Sequence, residues 1–226
     1  MIVDVVIPAL DEEEALPKVL RDLPATVRRV VVCDNGSTDR TAEVARAGGA
    51  VVVVERERGY GAACLTALAH LRADPPDVVV FLDADHSDDP RDLPVVLEPI
   101  ASGAAELVIG SRVRGTLEPG ALTWPQRVGN AIACGALRAF YRARYTDLGP
   151  FRAVTWAALE QLEMEDRNFG WTVEMQIKAA RLGIAHAEVA VAYRRRGGGQ
   201  SKVSGTIEGS VRAGTIILWQ LAKHAR

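Results

Sequence analysis

The chain is poor in cysteine and in aromatic residues, and it has no long uncharged run. Its three cysteines, Cys33, Cys64 and Cys134, lie 31 and 70 residues apart. That spacing excludes a CxxC pair, a zinc-binding pattern and a disulfide scaffold, and leaves each thiol as a small apolar core residue. Such usage fits a reducing, cytosolic compartment. Phe, Trp and Tyr make up only 5% of the residues. They do not interleave with basic clusters as stacking platforms, so nucleic acid is not an expected partner. No stretch reaches the roughly 18 uncharged apolar residues that a bilayer span requires. The opening MIVDVVIPAL reads directly as a strand; without a basic n-region or a cleavage site, no signal peptide is expected. Internal repeats, low-complexity tracts and linkers are also missing, so residues 1–226 read as one domain.

What is present is an ordinary globular composition, 48% hydrophobic and 25% charged. The net charge of −2 conceals an asymmetry. Residues 1–110 hold 10 Lys/Arg against 20 Asp/Glu, whereas residues 111–226 hold 17 against 9. A swing from −10 to +8 points to halves with different tasks.

The first half alternates short β-branched runs with amphipathic stretches. Strands are expected at Ile2–Pro8, Val30–Cys33, Val51–Val54, Val78–Leu82 and Leu107–Ile109. Helices are expected near Glu13–Leu23, Thr38–Ala47, Ala62–Leu71 and Leu93–Ala101. Several strands are apolar throughout, as in a parallel sheet buried on both faces. The pattern predicts an α/β domain with a mostly parallel sheet flanked by helices, and ligands at the carboxyl ends of its strands. In the second half Gly115–Pro125 reads as a loop, Arg127–Arg142 and Thr172–Leu182 as helices, and Ala187–Tyr193 as a strand. RRRGGGQSKVSG follows, too rich in Gly and charge to form an element, and a C-terminal helix from about Thr206 to Lys223 closes the chain.

The sharpest chemical feature is Asp83-Ala84-Asp85, directly after VVVFL. Carboxylates at i and i+2 past a buried strand can hold a hard divalent cation through oxygen ligands. Asp88 and Asp89 read as the start of the next helix, with Pro90 in its first turn. Two further polar clusters end strands, Pro8-Ala9-Leu10-Asp11-Glu12-Glu13 and Asp34-Asn35-Gly36-Ser37-Thr38-Asp39. Caps explain Ser37, Thr38 or Asp39. They do not explain Asp34-Asn35-Gly36, which sets a carboxylate and an amide where a base or ribose can be bound. Late in the chain Arg194, Arg195, Arg196 and Lys202 flank three glycines, a combination suited to a phosphate group.

Taken in order, IPALDEEEAL, DNGSTD, GYGAA, FLDAD and GSR resemble family 2 glycosyltransferases. TDLGPFRA, FGWTVEM and GGQSKVSG resemble the dolichyl- and polyprenyl-phosphate branch of that family. The resemblance spans nearly the whole chain and implies a GT-A fold, with 1–110 as the nucleotide-sugar and metal half and 111–226 as the acceptor half. It implies that Pro8, Ala9, Leu10, Glu12, Asp34, Asn35, Gly59, Asp83, Ala84 and Glu174 bind the nucleotide-sugar. It further implies that Asp83 and Asp85 hold Mg2+ or Mn2+, and that Asp85, Asp147 and Arg112 form the catalytic set. Arg127, Arg196, Ser201 and Lys202 are expected at the acceptor phosphate. One departure stands out: the branch often reads DADLQ, with the Gln assisting the metal, whereas this chain reads DADHS. Ser87 occupies the Gln position, and His86 is no obvious substitute.

A hydroxyl acceptor needs a carboxylate base, whereas a phosphate monoester is mostly ionised at pH 7 and needs cationic positioning. The basic loop favours a polyprenyl phosphate acceptor and an inverting transfer from a nucleoside diphosphate sugar. Asp147 is open to a role as base, as a positioning group or in an ion pair; Glu174 to a sugar contact or an ion pair. The last helix, with Trp219 and a basic end, suits the inner face of a membrane as a peripheral contact, its own domain, or a second copy in a homodimer. The expected location is cytoplasmic. Rival readings are a soluble hydroxyl acceptor and a non-catalytic nucleotide-sugar-binding subunit. A nucleotidyltransferase is disfavoured because the start lacks a Gly-rich, Lys-bearing phosphate loop.

Overall fold

The computed structural model describes residues 1–198 and Lys223. β1 (Val3–Ala9), β2 (Arg29–Asp34), β3 (Val51–Val54) and β4 (Val78–Phe81) are linked by α1 (Leu16–Asp22), α2 (Thr41–Ala47) and α3 (Tyr60–Leu71). A 3-10 turn at Pro90–Asp92 leads into α4 (Leu93–Ala101), followed by β5 (Leu107–Ser111) and α5 (Trp124–Tyr141). Then come β6 (Arg152–Thr155), α6 (Trp156–Leu162), α7 (Trp171–Leu182) and β7 (His186–Ala190). The sheet order is β3-β2-β1-β4-β6-β5-β7, with β6 antiparallel to both neighbours and every other pairing parallel.

Alternation along the strands builds two cores. Val3, Val5 and Ile7 of β1 and Val78 and Val80 of β4 pack against α1, α2 and α4. Val6, Val79 and Phe81 point the other way, onto α3, α6 and α7. Both faces are apolar because both are covered, which is why the strands read as unbroken hydrophobic runs. Cys33 and Cys64 lie in the second core, and Cys134 joins a third cluster between α5 and α7. Burial pushes the Cys33 and Cys134 thiols up to about 12, consistent with inert core residues.

The expected elements of the first half all form, β3 and α4 with the expected bounds. In the second half, α5 starts a turn earlier than Arg127, because Thr123 and Gln126 form a capping box with Pro125 in the first turn. The strand expected through Tyr193 stops at Ala190; Tyr193 instead makes isolated bridges to Asp88 and Leu117. Sequence patterning gives no element between Arg142 and Thr172, where β6 and α6 are found. The four residues of β6 begin with a fully buried arginine, which reads as a loop residue. Arg152 is tolerated there because carbonyl oxygens of Gly149, Leu148 (3.3 Å) and Thr172 (3.1 Å) accept from its guanidinium. No helix among the described residues is long and apolar enough to cross a membrane. The expected C-terminal helix lies outside the described residues except for Lys223, which pairs with Glu165 at 2.9 Å.

Candidate active site

Ala9 pairs with Asp34 and Asp34 with Val54, so the carboxyl ends of β1, β2 and β3 stand level at one edge of the sheet. The first two strand-end loops are laced together. Ser37 Oγ accepts from the Asp11 amide (2.9 Å), Thr41 Oγ1 from the Glu12 amide (2.7 Å), and Asp39 Oδ2 from the Glu13 amide (3.1 Å). Asp11 returns a bond, accepting from the Thr38 amide at 2.7 Å. Asp34 accepts from the Ser37 amide at 2.9 Å. Asn35 donates to the Glu55 and Glu57 carbonyls (3.1 and 2.7 Å) and accepts from the Gly59 amide (2.8 Å). Asn35 therefore shapes the pocket rim by tying down the segment after β3.

Gly59 and Gly61 have a packing reason. A Cβ at Gly59 would stand 2.0 Å from the Arg167 carbonyl, and one at Gly61 would stand 1.8 Å from that of Asp166. The first amides of α3 are already occupied: Gly61 donates to Asn168 O (3.1 Å) and Ala62 to Arg167 O (2.9 Å). Glu174 holds that segment in place, accepting from the Glu165 and Asp166 amides (3.0 and 2.8 Å) and pairing with Lys178 at 2.8 Å. Its carboxylate, expected at the sugar, is fully buried and accepts from the α6–α7 loop.

The end of β4 is different. Asp85 Oδ1 accepts from the Ser87 amide (2.9 Å) and Oδ2 from Arg196 Nη1 (3.0 Å), while its carbonyl accepts from Gly197 N (2.8 Å). Arg196 also reaches Glu12 Oε1, so one guanidinium joins the β1 and β4 loops. Asp83 Oδ1 is sealed from solvent and has no hydrogen-bond partner. Burial, with the Asp85 charge added, pushes the Asp83 carboxyl up to about 7, against the opposing pull of Tyr60, Arg112 and Arg196. Ala84 is buried between the two carboxylates. His86 turns away, with Nε2 3.0 Å from Asp22 Oδ2 on α1.

The helix start expected at Asp88 and Asp89 holds for only one of them. Asp89 caps the 3-10 turn through the Arg91 amide (3.1 Å) and pairs with Arg91 and Arg194 (2.8 and 2.7 Å). Asp88 is 2% exposed, and neither of its oxygens has a hydrogen-bond partner. Burial and the Asp83 charge push its carboxyl well above the usual range, with Arg112 opposing and Asp85 adding to the rise. Sequence reasoning missed Asp88. The available signal was four aspartates within Asp83–Asp89, more than one helix start uses.

Opposite lies a buried pair. Asp147 Oδ2 accepts from the Arg112 amide and Nε (2.8 and 2.9 Å), and Oδ1 from Arg112 Nη2 (2.6 Å). Gln176 donates to the Asp147 carbonyl at 3.0 Å. Burial alone would lower the Arg112 pKa; the Asp147 carboxylate more than offsets this and raises it. Arg112 Cζ sits 5.1 Å from the Tyr193 ring centroid. Asp147 thus has positioning geometry, with both oxygens on Arg112, and does not stand free as a base. Arg127 is exposed on α5. Ser201 and Lys202 lie outside the described residues.

Four carboxylates, Asp83, Asp85, Asp88 and Asp147, act here against two guanidiniums, Arg112 and Arg196. Among the described residues no three His, Cys, Asp or Glu side chains converge to ligate a metal. A pair of carboxylates still fits Mg2+ or Mn2+, which use one or two such ligands and complete their shell with phosphate oxygens and water. The partnerless Asp83 Oδ1 is a hard donor of the right kind.

A family model, Glycosyl transferase family 2, matches residues 4–161. An uncharacterized glycosyltransferase of Mycobacterium tuberculosis is 43% identical over 221 residues, 97% of each chain. The undecaprenyl-phosphate mannosyltransferase of Micrococcus luteus is 33% identical over 233 residues, 96% of this chain and 93% of its own. Glucosyl-3-phosphoglycerate synthase from Mycobacterium tuberculosis, in complex with Mn2+, uridine-diphosphate-glucose and phosphoglyceric acid, matches with a TM-score of 0.77 at 25% identity. That match covers 99% of this chain and 79% of the other.

Proposed function

The chain belongs to glycosyl transferase family 2, and on that premise we propose that this glycosyltransferase moves a sugar, with inversion, from a nucleoside diphosphate to a polyprenyl phosphate. The observation that carries this reading is Arg196, held on Asp85 and Glu12 beside the paired aspartates, with Arg112 fixed on Asp147. Two fixed cations beside a paired-aspartate site suit a reaction in which both leaving group and nucleophile are phosphates. Asp147, the carboxylate open to a role as base, has both oxygens on Arg112, and Glu174 is engaged by the α6–α7 loop. An acceptor that is already ionised needs neither.

In this reading Asp83 and Asp85 hold Mg2+ or Mn2+, which supplies Lewis-acid neutralisation of the donor diphosphate. The β1 and β2 loops, Pro8 to Glu12 and Asp34 with Asn35, wall the nucleoside. Asp147 fixes the angle of Arg112, and Arg112 and Arg196 orient the phosphates. The acceptor oxygen forms its bond to the anomeric carbon as the bond to the diphosphate breaks on the opposite side. Exposed Trp124, Ile132 and Phe140, on the helix that carries Arg127 and Arg138, support peripheral contact with a membrane surface.

A second reading, a soluble phosphorylated acceptor, is favoured by the phosphoglyceric acid held in the structural neighbour. One experiment separates them. Purified protein is given UDP-, GDP- and dTDP-sugars with Mn2+ or Mg2+, alone, with a short polyprenyl phosphate, or with 3-phosphoglyceric acid. Nucleoside diphosphate release with solvent-extractable sugar, dependent on the lipid, is the expected result. Release that follows phosphoglyceric acid instead would replace the lipid acceptor, and no release with any donor would overturn transfer itself.

A further inference from the structure

The least satisfied group among the described residues is Asp88. Its backbone is pinned by the bridge to Tyr193 and by the neighbouring bond from Arg194 N to Ser87 O at 2.8 Å. The side chain is buried, yet both carboxylate oxygens lack a partner. Its chain neighbours are provided for, Asp85 by the Ser87 amide and Arg196, and Asp89 by Arg91 and Arg194. Arg112 acts on Asp88 by charge alone, because its hydrogen bonds go to Asp147. A buried carboxylate without hydrogen bonds is retained where a ligand completes it.

The surroundings identify that ligand by charge. Of the charged groups that act on Asp88, three are carboxylates, Asp83, Asp85 and Asp147, and one is a guanidinium, Arg112, so the group that completes Asp88 is a cation or the water it carries. Mg2+ and Mn2+ keep several of their waters when bound through two carboxylates. Those waters need acceptors, and outer-shell acceptors set affinity almost as strongly as the ligands do. We propose that Asp88 is the third carboxylate of the cation site, accepting hydrogen bonds from waters carried by a divalent cation on Asp83 and Asp85. The inference rests on the cation reading of those two aspartates given above.

The test is Mn2+ binding to the full chain, alone and with UDP, followed by the electron paramagnetic resonance of free Mn2+. Wild type should bind one ion, and Asp88→Asn should weaken binding about 10- to 100-fold. A second readout separates a cation role from a structural one. Without metal, Asp88→Asn should unfold at the same or a higher temperature than wild type, because a buried like charge is gone, and its Mn2+-induced stabilisation should shrink. Asp88→Ser should show the same loss of affinity. Mn2+ affinity within twofold of wild type in either variant would overturn the proposal while leaving Asp83 and Asp85 as the site. Failure of wild type to bind Mn2+ would overturn both. Two variants that unfold before binding can be measured would place Asp88 in the fold alone.

Discussion

The loops after β1 and β2 and the loop after β4 are all acidic, but their carboxylates do different work. After β1 and β2, Asp11, Asp34 and Asp39 accept hydrogen bonds from amides and a hydroxyl of the same two loops. After β4, Asp83 Oδ1 and both oxygens of Asp88 have no such partner. The first set is scaffold, satisfied before any ligand arrives. The second is held ready, at an electrostatic cost that a bound cation would remove. Acidity at a strand end therefore does not by itself identify a binding group.

The sharpest way to break this comparison is Asp85→Ala. Turnover, measured as nucleoside diphosphate release, should fall by about 10³-fold or more, with the unfolding transition unchanged; near-normal turnover would remove the β4 loop from the chemistry. Asp147→Asn tests the opposite wall. Uncoupling the buried pair should lower stability by about 3 kcal/mol in urea titration, and unchanged stability would show that the pair does not brace this wall. Thr41→Val probes the lacing. Leaving the Glu12 amide without its acceptor should destabilise by about 1 to 3 kcal/mol, while activity per folded molecule persists. The smallest effect concerns pH. Because the native state raises the Asp83 pKa to about 7, the folded protein holds that proton more tightly than the unfolded chain. Without metal, stability should fall as pH rises from about 4 towards 7. Asp83→Asn should flatten that slope in thermal melts, and an equal slope in both proteins would refute the assignment.

The architecture of the donor half is legible in the sequence because both faces of its strands are covered. Val51–Val54 is apolar throughout and forms β3 with those bounds, and the Asp83-Ala84-Asp85 turn lies where the end of VVVFL puts it. Pairings across long separations are not legible. Nothing local announces that Arg112 will close on Asp147, 35 residues away, or that Arg196 will bridge Glu12 and Asp85. β6 is hidden because its first residue is charged, and the carbonyls that satisfy Arg152 come from a preceding loop and from α7. Asp88 is hidden because a helix-start aspartate and a partnerless one share the same letter; only the direction of the side chain tells Asp88 from Asp89.

The close approach at Gly59 and Gly61 also bears on how the chain reaches its native state. The first turn of α3 is capped by carbonyls of Arg167 and Asn168, more than 100 residues later in sequence. β4 pairs with β1 on one side, and on the other finds its partner in β6, some 70 residues on. During synthesis the early strands can collapse, but the pocket rim cannot settle until the α6–α7 loop has left the ribosome. Non-local closure of this kind slows folding and leaves the β4 edge open to wrong partners in the interval. A chain truncated before Arg152 would on this view be prone to aggregate, because both β6 and the α6–α7 loop lie beyond it.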